Sequence, residues 1–189
     1  NIKFQPQELD EYMTAVGRDL FTLPLRTTLT QFEEADNFGS LIQPALQDVE
    51  GTLQVLQSKD LSGNLFLKAT HDQVLKVLRQ ADYLRQKYHI VVANPPYMGS
   101  KGMNGKLSDY AKKEYPDSKS DLFAMFMERA EQFVIKRGFN ALVTMESWMF
   151  LSSYEKLRAK ILSRKTINSM VHMPYLGKGG TSMGINFGT

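Results

Sequence analysis

The run His89-Ile90-Val91-Val92-Ala93 is apolar almost throughout and stops at Asn94-Pro95-Pro96-Tyr97. A short unbroken run of this kind is expected of a strand buried on both faces of a sheet. Proline has no N–H to give to a strand ladder, so two in succession end the strand in a stiff corner. Downstream, Asp121 to Lys136 predicts a helix with Leu122, Phe126, Ala130, Phe133 and Val134 on one face and Gly138 closing it. Phe139 to Met145 predicts a second buried strand, Ser153 to Ser163 a helix, and Ile167 to His172 a third strand. The polar, Gly/Lys/Ser-rich stretch from Met98 to Ser120 reads as a long mobile loop. Strands alternating with helices define a parallel α/β sheet, where ligands bind beyond the carboxyl ends of the strands. Residues 94–97 occupy one such end.

The first half reads differently. Gln7 to Val16 is helical and closed by Gly17, and Pro24 opens a helix through Glu34. Asn37 to Ile42 has strand or loop character. Val49 to Gln57 is weakly helical and is followed by the turn Ser62-Gly63-Asn64. Thr70 to Tyr88 is the clearest helix, with Thr70 and Gln73 forming a capping box and Val74, Val77, Leu78, Ala81, Leu84 and Tyr88 at helical spacing. The expected organisation is a helix-rich segment over residues 1–88 and an α/β part over residues 89–189.

Composition narrows the chemistry. With no cysteine among 189 residues, disulfides, thiolate zinc sites and cysteine nucleophiles are excluded. His71, His89 and His172 lie far apart with no paired spacing, so no metal site is expected. A net charge of +3 permits nucleic acid as a partner without requiring it. Lys101, Lys106, Lys112, Lys113 and Lys119 make the 98–120 stretch basic, although acidic residues are interspersed. No apolar run approaches a membrane span. The opening Asn1-Ile2-Lys3-Phe4 has neither a starting Met nor a signal-peptide core, and reads as a chain entered midway.

The corner itself suggests a reaction. Two prolines hold φ near −65° and remove two donors, so backbone carbonyls project from a rigid turn. The side-chain oxygen of Asn94 adds an acceptor and Tyr97 an aromatic face. Two convergent acceptors beside a ring suit a flat ligand that bears an amino group. An exocyclic amino nitrogen is a weak nucleophile because its lone pair is conjugated into the ring. Acceptors that draw on its two hydrogens favour a pyramidal nitrogen and free that pair, without metal or strong base.

This tetrapeptide resembles the catalytic motif of the NPPY amino-methyltransferases. Three longer stretches sharpen the likeness: Gln31-Phe32-Glu33-Glu34-Ala35-Asp36-Asn37-Phe38-Gly39-Ser40-Leu41-Ile42, then Tyr88 through Ser100, then Ser120-Asp121-Leu122-Phe123-Ala124-Met125-Phe126. In this order they are similar to the adenine-specific DNA methyltransferases of BREX phage-exclusion systems. The resemblance implies a partial Rossmann-like methyltransferase sheet that uses S-adenosyl-L-methionine on an adenine flipped out of double-stranded DNA. It assigns Asn94 and the carbonyl of Pro95, in the rigid frame of Pro96, to the amino group, and Tyr97 to stacking on the base. Asp121, Leu122 and Phe126 match the helix that contacts the cofactor, with Phe126 beside its adenine. Tyr175 and Phe187 are both candidates for clamping the other face of the base.

The same resemblance implies anti-phage defence, other BREX proteins as partners, a cytoplasmic location, and neither membrane nor metal. There is also a departure. The family's glycine-rich cofactor loop has no counterpart, since no Asp-x-x-x-Gly-x-Gly pattern occurs and Gly177-Lys178-Gly179-Gly180-Thr181 reads as a flexible turn. The piece alone is therefore expected to be inactive. Two other readings stand beside this one: methylation of a protein glutamine, for which the same tetrapeptide is used, and a catalytically incomplete structural module.

Overall fold

A computed structural model describes residues 2–18, 23–61 and 63–174. The candidate clamp residues Tyr175 and Phe187 and the 177–181 turn lie outside the described residues. The chain divides into two compact units, Asn1–Lys87 and Tyr88–Thr189.

The first unit is helical among its described residues: α1 (Pro6–Val16), α2 (Leu23–Phe32), α3 (Ala35–Phe38), α4 (Val49–Gln57) and α5 (Leu65–Arg85). Its core joins Tyr12 and Val16 of α1, Leu25 and Leu29 of α2, Leu56 of α4, and Val74, Val77 and Leu78 of α5. Gly17 follows α1 at φ 103°, as a helix-stopping glycine can. Helix α5 starts earlier than the sequence suggests. Asn64 caps it by accepting from the N–H groups of Phe66 (3.1 Å) and Leu67 (3.2 Å), while Thr70, the expected cap, is buried within the helix. Asn37 to Ile42, read as strand or loop, completes α3 and continues as a 3-10 turn over Gly39–Leu41. The extended stretch beyond it is held by side chains of α2. Thr28 Oγ1 accepts from Leu46 N–H at 2.9 Å, and Gln31 both donates to Gln43 O (3.0 Å) and accepts from Ala45 N–H (3.2 Å).

The second unit mixes helices and strands: β1 (Tyr88–Ala93), α6 (Gly105–Glu114), α7 (Leu122–Phe133), β2 (Val134–Leu142), α8 (Ser147–Phe150) and α9 (Glu155–Arg164). Strands β1 and β2 pair in parallel, which requires the α6–α7 crossover between them. Met98 to Ser120 is therefore not a loop. Its stripe of Leu107, Ala111 and Tyr115, four residues apart, is buried, and Asn104 caps α6 through Leu107 N–H at 2.9 Å.

Two strand expectations are corrected. Ile90, Val92 and Phe139 lie on one face, since Ile90 pairs with Phe139, and they are 64%, 74% and 59% exposed. The sheet has two strands among the described residues and only its other face is packed, with Leu142 against the α7–α9 core. Ile167 to His172 forms no strand, and His172 Nε2 instead meets Glu146 Oε2 at 2.7 Å.

Gly138 does not close a helix either. Helix α7 ends at Phe133, and Gly138 lies inside β2 where the register slips between Tyr88↔Val134 and Ile90↔Phe139. The extra residues bulge there, with Arg137 at φ 66°. A Cβ on Gly138 would stand 2.7 Å from both the His89 carbonyl and Val134 Cγ1. Gly138→Ala is accordingly expected to destabilise the protein by about 2 kcal/mol, as for forced overpacking. Chemical denaturation checks this, and an unchanged midpoint would contradict the bulge's close approach.

Candidate active site

The corner after β1 is anchored on both sides. On the strand side, the Ala93 carbonyl accepts from Val143 N–H at 3.1 Å, carrying the ladder to the residue before Asn94. On the far side, residues 98–100 zip against 120–122. Leu122 N–H donates to Met98 O (3.1 Å), Ser100 N–H to Ser120 O (2.9 Å), and Gly99 bridges Asp121 antiparallel. Asp121 Oδ1 accepts from Met98 N–H at 3.0 Å and from Phe123 N–H at 3.3 Å, so one carboxylate caps α7 and fastens the corner. Between these anchors Pro95 is buried, while Asn94 and Pro96 are exposed. The rigid ring packs inward and the amide faces out.

Tyr97 is half-buried with its ring edge-on to Phe123, centroids 6.1 Å apart, and Phe123 in turn lies 6.0 Å from Tyr154. Phe123 and Tyr154 belong to the buried core of this unit, against which Met145 and Trp148 also pack. The hydroxyl of Tyr97 donates to Asn94 Oδ1 at 3.2 Å. Burial, and then the Asp121 carboxylate, push the Tyr97 phenol above its ordinary value of 10.0. The same two causes push Tyr154 up to about 12. Asp121 itself is raised by burial, against the lowering influence of the Met98, Phe123 and Leu122 N–H groups.

The positions expected to form the site are thus brought together in part. Asn94, Pro95, Pro96 and Tyr97 form one exposed corner, and Asp121 touches its far anchor. Leu122 is buried, whereas Phe126, one turn further along α7, is half-buried. Sequence reasoning missed Met98, Phe123 and Tyr154. An Asp before an apolar helical run signals a cap, but nothing local in the sequence pairs it with Met98. Two lysines of the basic stretch are paired within it: Lys112 meets Asp109 and Lys113 meets Glu114, each at 3.2 Å. Among the described residues no helix is long and apolar enough to cross a membrane.

Residues 21–177 match the model of the Eco57I restriction-modification methylase family, and the chain belongs to that family. Two curated relatives narrow the likeness. The chain is 48% identical over 152 residues to an adenine-specific methyltransferase, BrxX, of Escherichia coli O9:H4 (strain HS). It is 36% identical over 155 residues to an adenine-specific methyltransferase, PglX, of Lacticaseibacillus casei (strain Zhang). Each match covers 79% of this chain and 13% of the relative, so the chain spans about an eighth of their length. The resemblance drawn from the three sequence stretches is borne out by both.

The environment of Tyr97 carries a prediction. Its phenol should titrate above 10.0, because burial and a nearby carboxylate both disfavour the phenolate. Ultraviolet difference titration of the protein against Tyr97→Phe reads this, and a midpoint below 10.0 would contradict the geometry.

Proposed function

We propose that this chain is the part of a longer adenine-specific DNA methyltransferase that receives the amino group to be methylated. The carrying observation is the exposed Asn94 amide at the carboxyl end of β1, on a Pro-Pro corner fastened at both ends. The parallel pairing of β1 and β2 across helices supports a Rossmann-like sheet completed by other parts of the protein. Family membership and the names of both relatives support methylation, adenine and DNA.

In this reading the target adenine leaves the duplex and enters the corner. Asn94 Oδ1 and the Pro95 carbonyl accept the two hydrogens of the exocyclic amino group. The nitrogen then pyramidalises, and its lone pair points away from the ring towards the donor. The Tyr97 ring, held edge-on by Phe123, stacks on the base, and its hydroxyl keeps Asn94 turned with the oxygen towards the corner. After transfer, the surplus proton on nitrogen leaves along one of these acceptor contacts to water.

The residues present fit one end of S-adenosyl-L-methionine. The half-buried Phe126, on α7, offers an apolar surface for its adenine. When bound, that cofactor supplies the methyl group as an electrophile and departs as a neutral thioether. This reading includes a role in phage exclusion beside other BREX proteins, supported by the likeness to the two relatives.

The test uses full-length protein with labelled S-adenosyl-L-methionine and two rival acceptors, adenine-containing duplex DNA and a glutamine-bearing peptide. Label should enter DNA. Asn94→Ala should lower kcat on the order of a hundredfold while the fold is kept, as for loss of one preorganised polar contact. Label in the peptide alone, or near-normal turnover in the alanine variant, would overturn the reading.

A further inference from the structure

The resemblance groups Asp121 with the cofactor-contacting residues, yet its carboxylate is already committed. It is 9% exposed, and its Oδ1 accepts both the Met98 N–H (3.0 Å) and the Phe123 N–H (3.3 Å). The first bond reaches back to the residue directly after Tyr97, and the second fixes the residue whose ring Tyr97 packs against. One side chain thus sets both the chain path leaving the corner and the aromatic platform beneath it.

We propose that Asp121 is a positioning residue of the methyl-transfer site, acting on Asn94 and Tyr97 through Met98 and Phe123 rather than through the cofactor. The inference rests on the reading of residues 94–97 as the amino-group acceptor. Two fixed points are needed because a corner with two prolines has no internal N–H to hold it. The first is the Val143 N–H on the Ala93 carbonyl, which belongs to the sheet. The second is Asp121, which stands outside the sheet on the cap of α7.

The backbone around Asp121 reinforces this. Leu122 N–H donates to Met98 O at 3.1 Å, so Met98 is held through both its N–H and its carbonyl by adjacent residues. Oδ2 lies close to the Gly99 backbone, where an added Cβ would stand 3.6 Å away. The turn leading into Asp121 is secured in its own right. Buried Ser118 donates to Glu128 Oε1 at 2.5 Å, and Lys160 of α9 reaches Glu128 Oε2 at 2.7 Å and Asp117 Oδ2 at 3.4 Å. The anchor is therefore itself anchored to α7 and α9. The carboxylate also favours the protonated Tyr97 hydroxyl, the form that donates to Asn94 Oδ1.

A cofactor ligand and a positioning residue respond differently to substitution. Asp121→Ala removes the acceptor from two N–H groups, whereas Asp121→Asn keeps an oxygen in the same place and preserves the cap. Hydrogen–deuterium exchange over residues 96–100 of the full-length protein reads the anchor without any catalysis. Exchange there should speed up about tenfold in Asp121→Ala, the equivalent of one hydrogen bond to a charged acceptor, and much less in Asp121→Asn. Calorimetric affinity for S-adenosyl-L-methionine should stay close to the parent's in both variants. kcat should fall at least tenfold in Asp121→Ala with recovery in Asp121→Asn, as a displaced corner requires.

Unchanged exchange over 96–100 in Asp121→Ala would overturn the proposal. So would a loss of cofactor affinity that matches the loss of kcat. If the parent protein transferred no methyl group to adenine, the functional reading would fall. The exchange and calorimetric arms would then still decide what Asp121 holds.

Discussion

The site depends on how a chain can be held where two successive residues have no backbone N–H. Pro95 and Pro96 contribute no N–H, so the corner must be fixed from its flanks. One flank is the strand ladder, ending in the bond from Val143 N–H to the Ala93 carbonyl. The other is the short antiparallel zip of residues 98–100 against 120–122, with the Asp121 carboxylate at its centre. The order of elements follows from this need. A parallel crossover brings β2 beside β1, and the start of α7 lies next to the end of the corner because α6 and its turn fold back between them.

Packing then selects which groups of the corner face outward. Pro95 is buried and Tyr97 leans edge-on against Phe123, which is fully enclosed and in contact with Tyr154. Asn94 and Pro96 stay exposed. An amide carried on a flexible loop would have to be ordered each time a ligand arrived. Here that ordering is met during folding, by core contacts that exist whether or not a ligand is bound. The exposed row of Ile90, Val92 and Phe139 on the opposite face belongs to the same sheet but takes no part in holding the corner.

Some local signals in the sequence are legible, and the nonlocal contacts are not. Helices α1 and α4 and strand β1 follow from periodicity, apolar runs and Gly17, all of which act within a few residues, whereas β2 runs over Val134–Leu142 and so begins inside the expected helix. The tetrapeptide Asn94–Tyr97 is legible for the same reason as β1, being contiguous. In the 98–120 stretch, glycines and lysines mask the Leu107, Ala111, Tyr115 stripe and the Asn104 cap that make α6. A glycine after an apolar helical run usually stops the helix, which is what the sequence predicts for Gly138. Its actual role, making room for the His89 carbonyl, is set by a strand neighbour far away in sequence. Ile167 to His172 has β-branched residues but finds no strand partner among the described residues, and propensity without pairing forms no strand. The meeting of Asp121 with Met98 and of Tyr97 with Phe123 and Tyr154 lies beyond any local rule.

In the proposed reading Tyr97 serves through its ring, on a platform built by Phe123, while its hydroxyl orients the Asn94 amide. Comparing Tyr97→Phe with Tyr97→Ala in full-length protein, by kcat/KM for methyl transfer to DNA, tests this most directly. Loss of base stacking amounts to ~1–3 kcal/mol, so Tyr97→Ala should fall roughly tenfold to a hundredfold. Tyr97→Phe keeps the ring and loses only the 3.2 Å contact to Asn94 Oδ1, so it should retain most of the activity. Equal losses in the two variants would contradict the account.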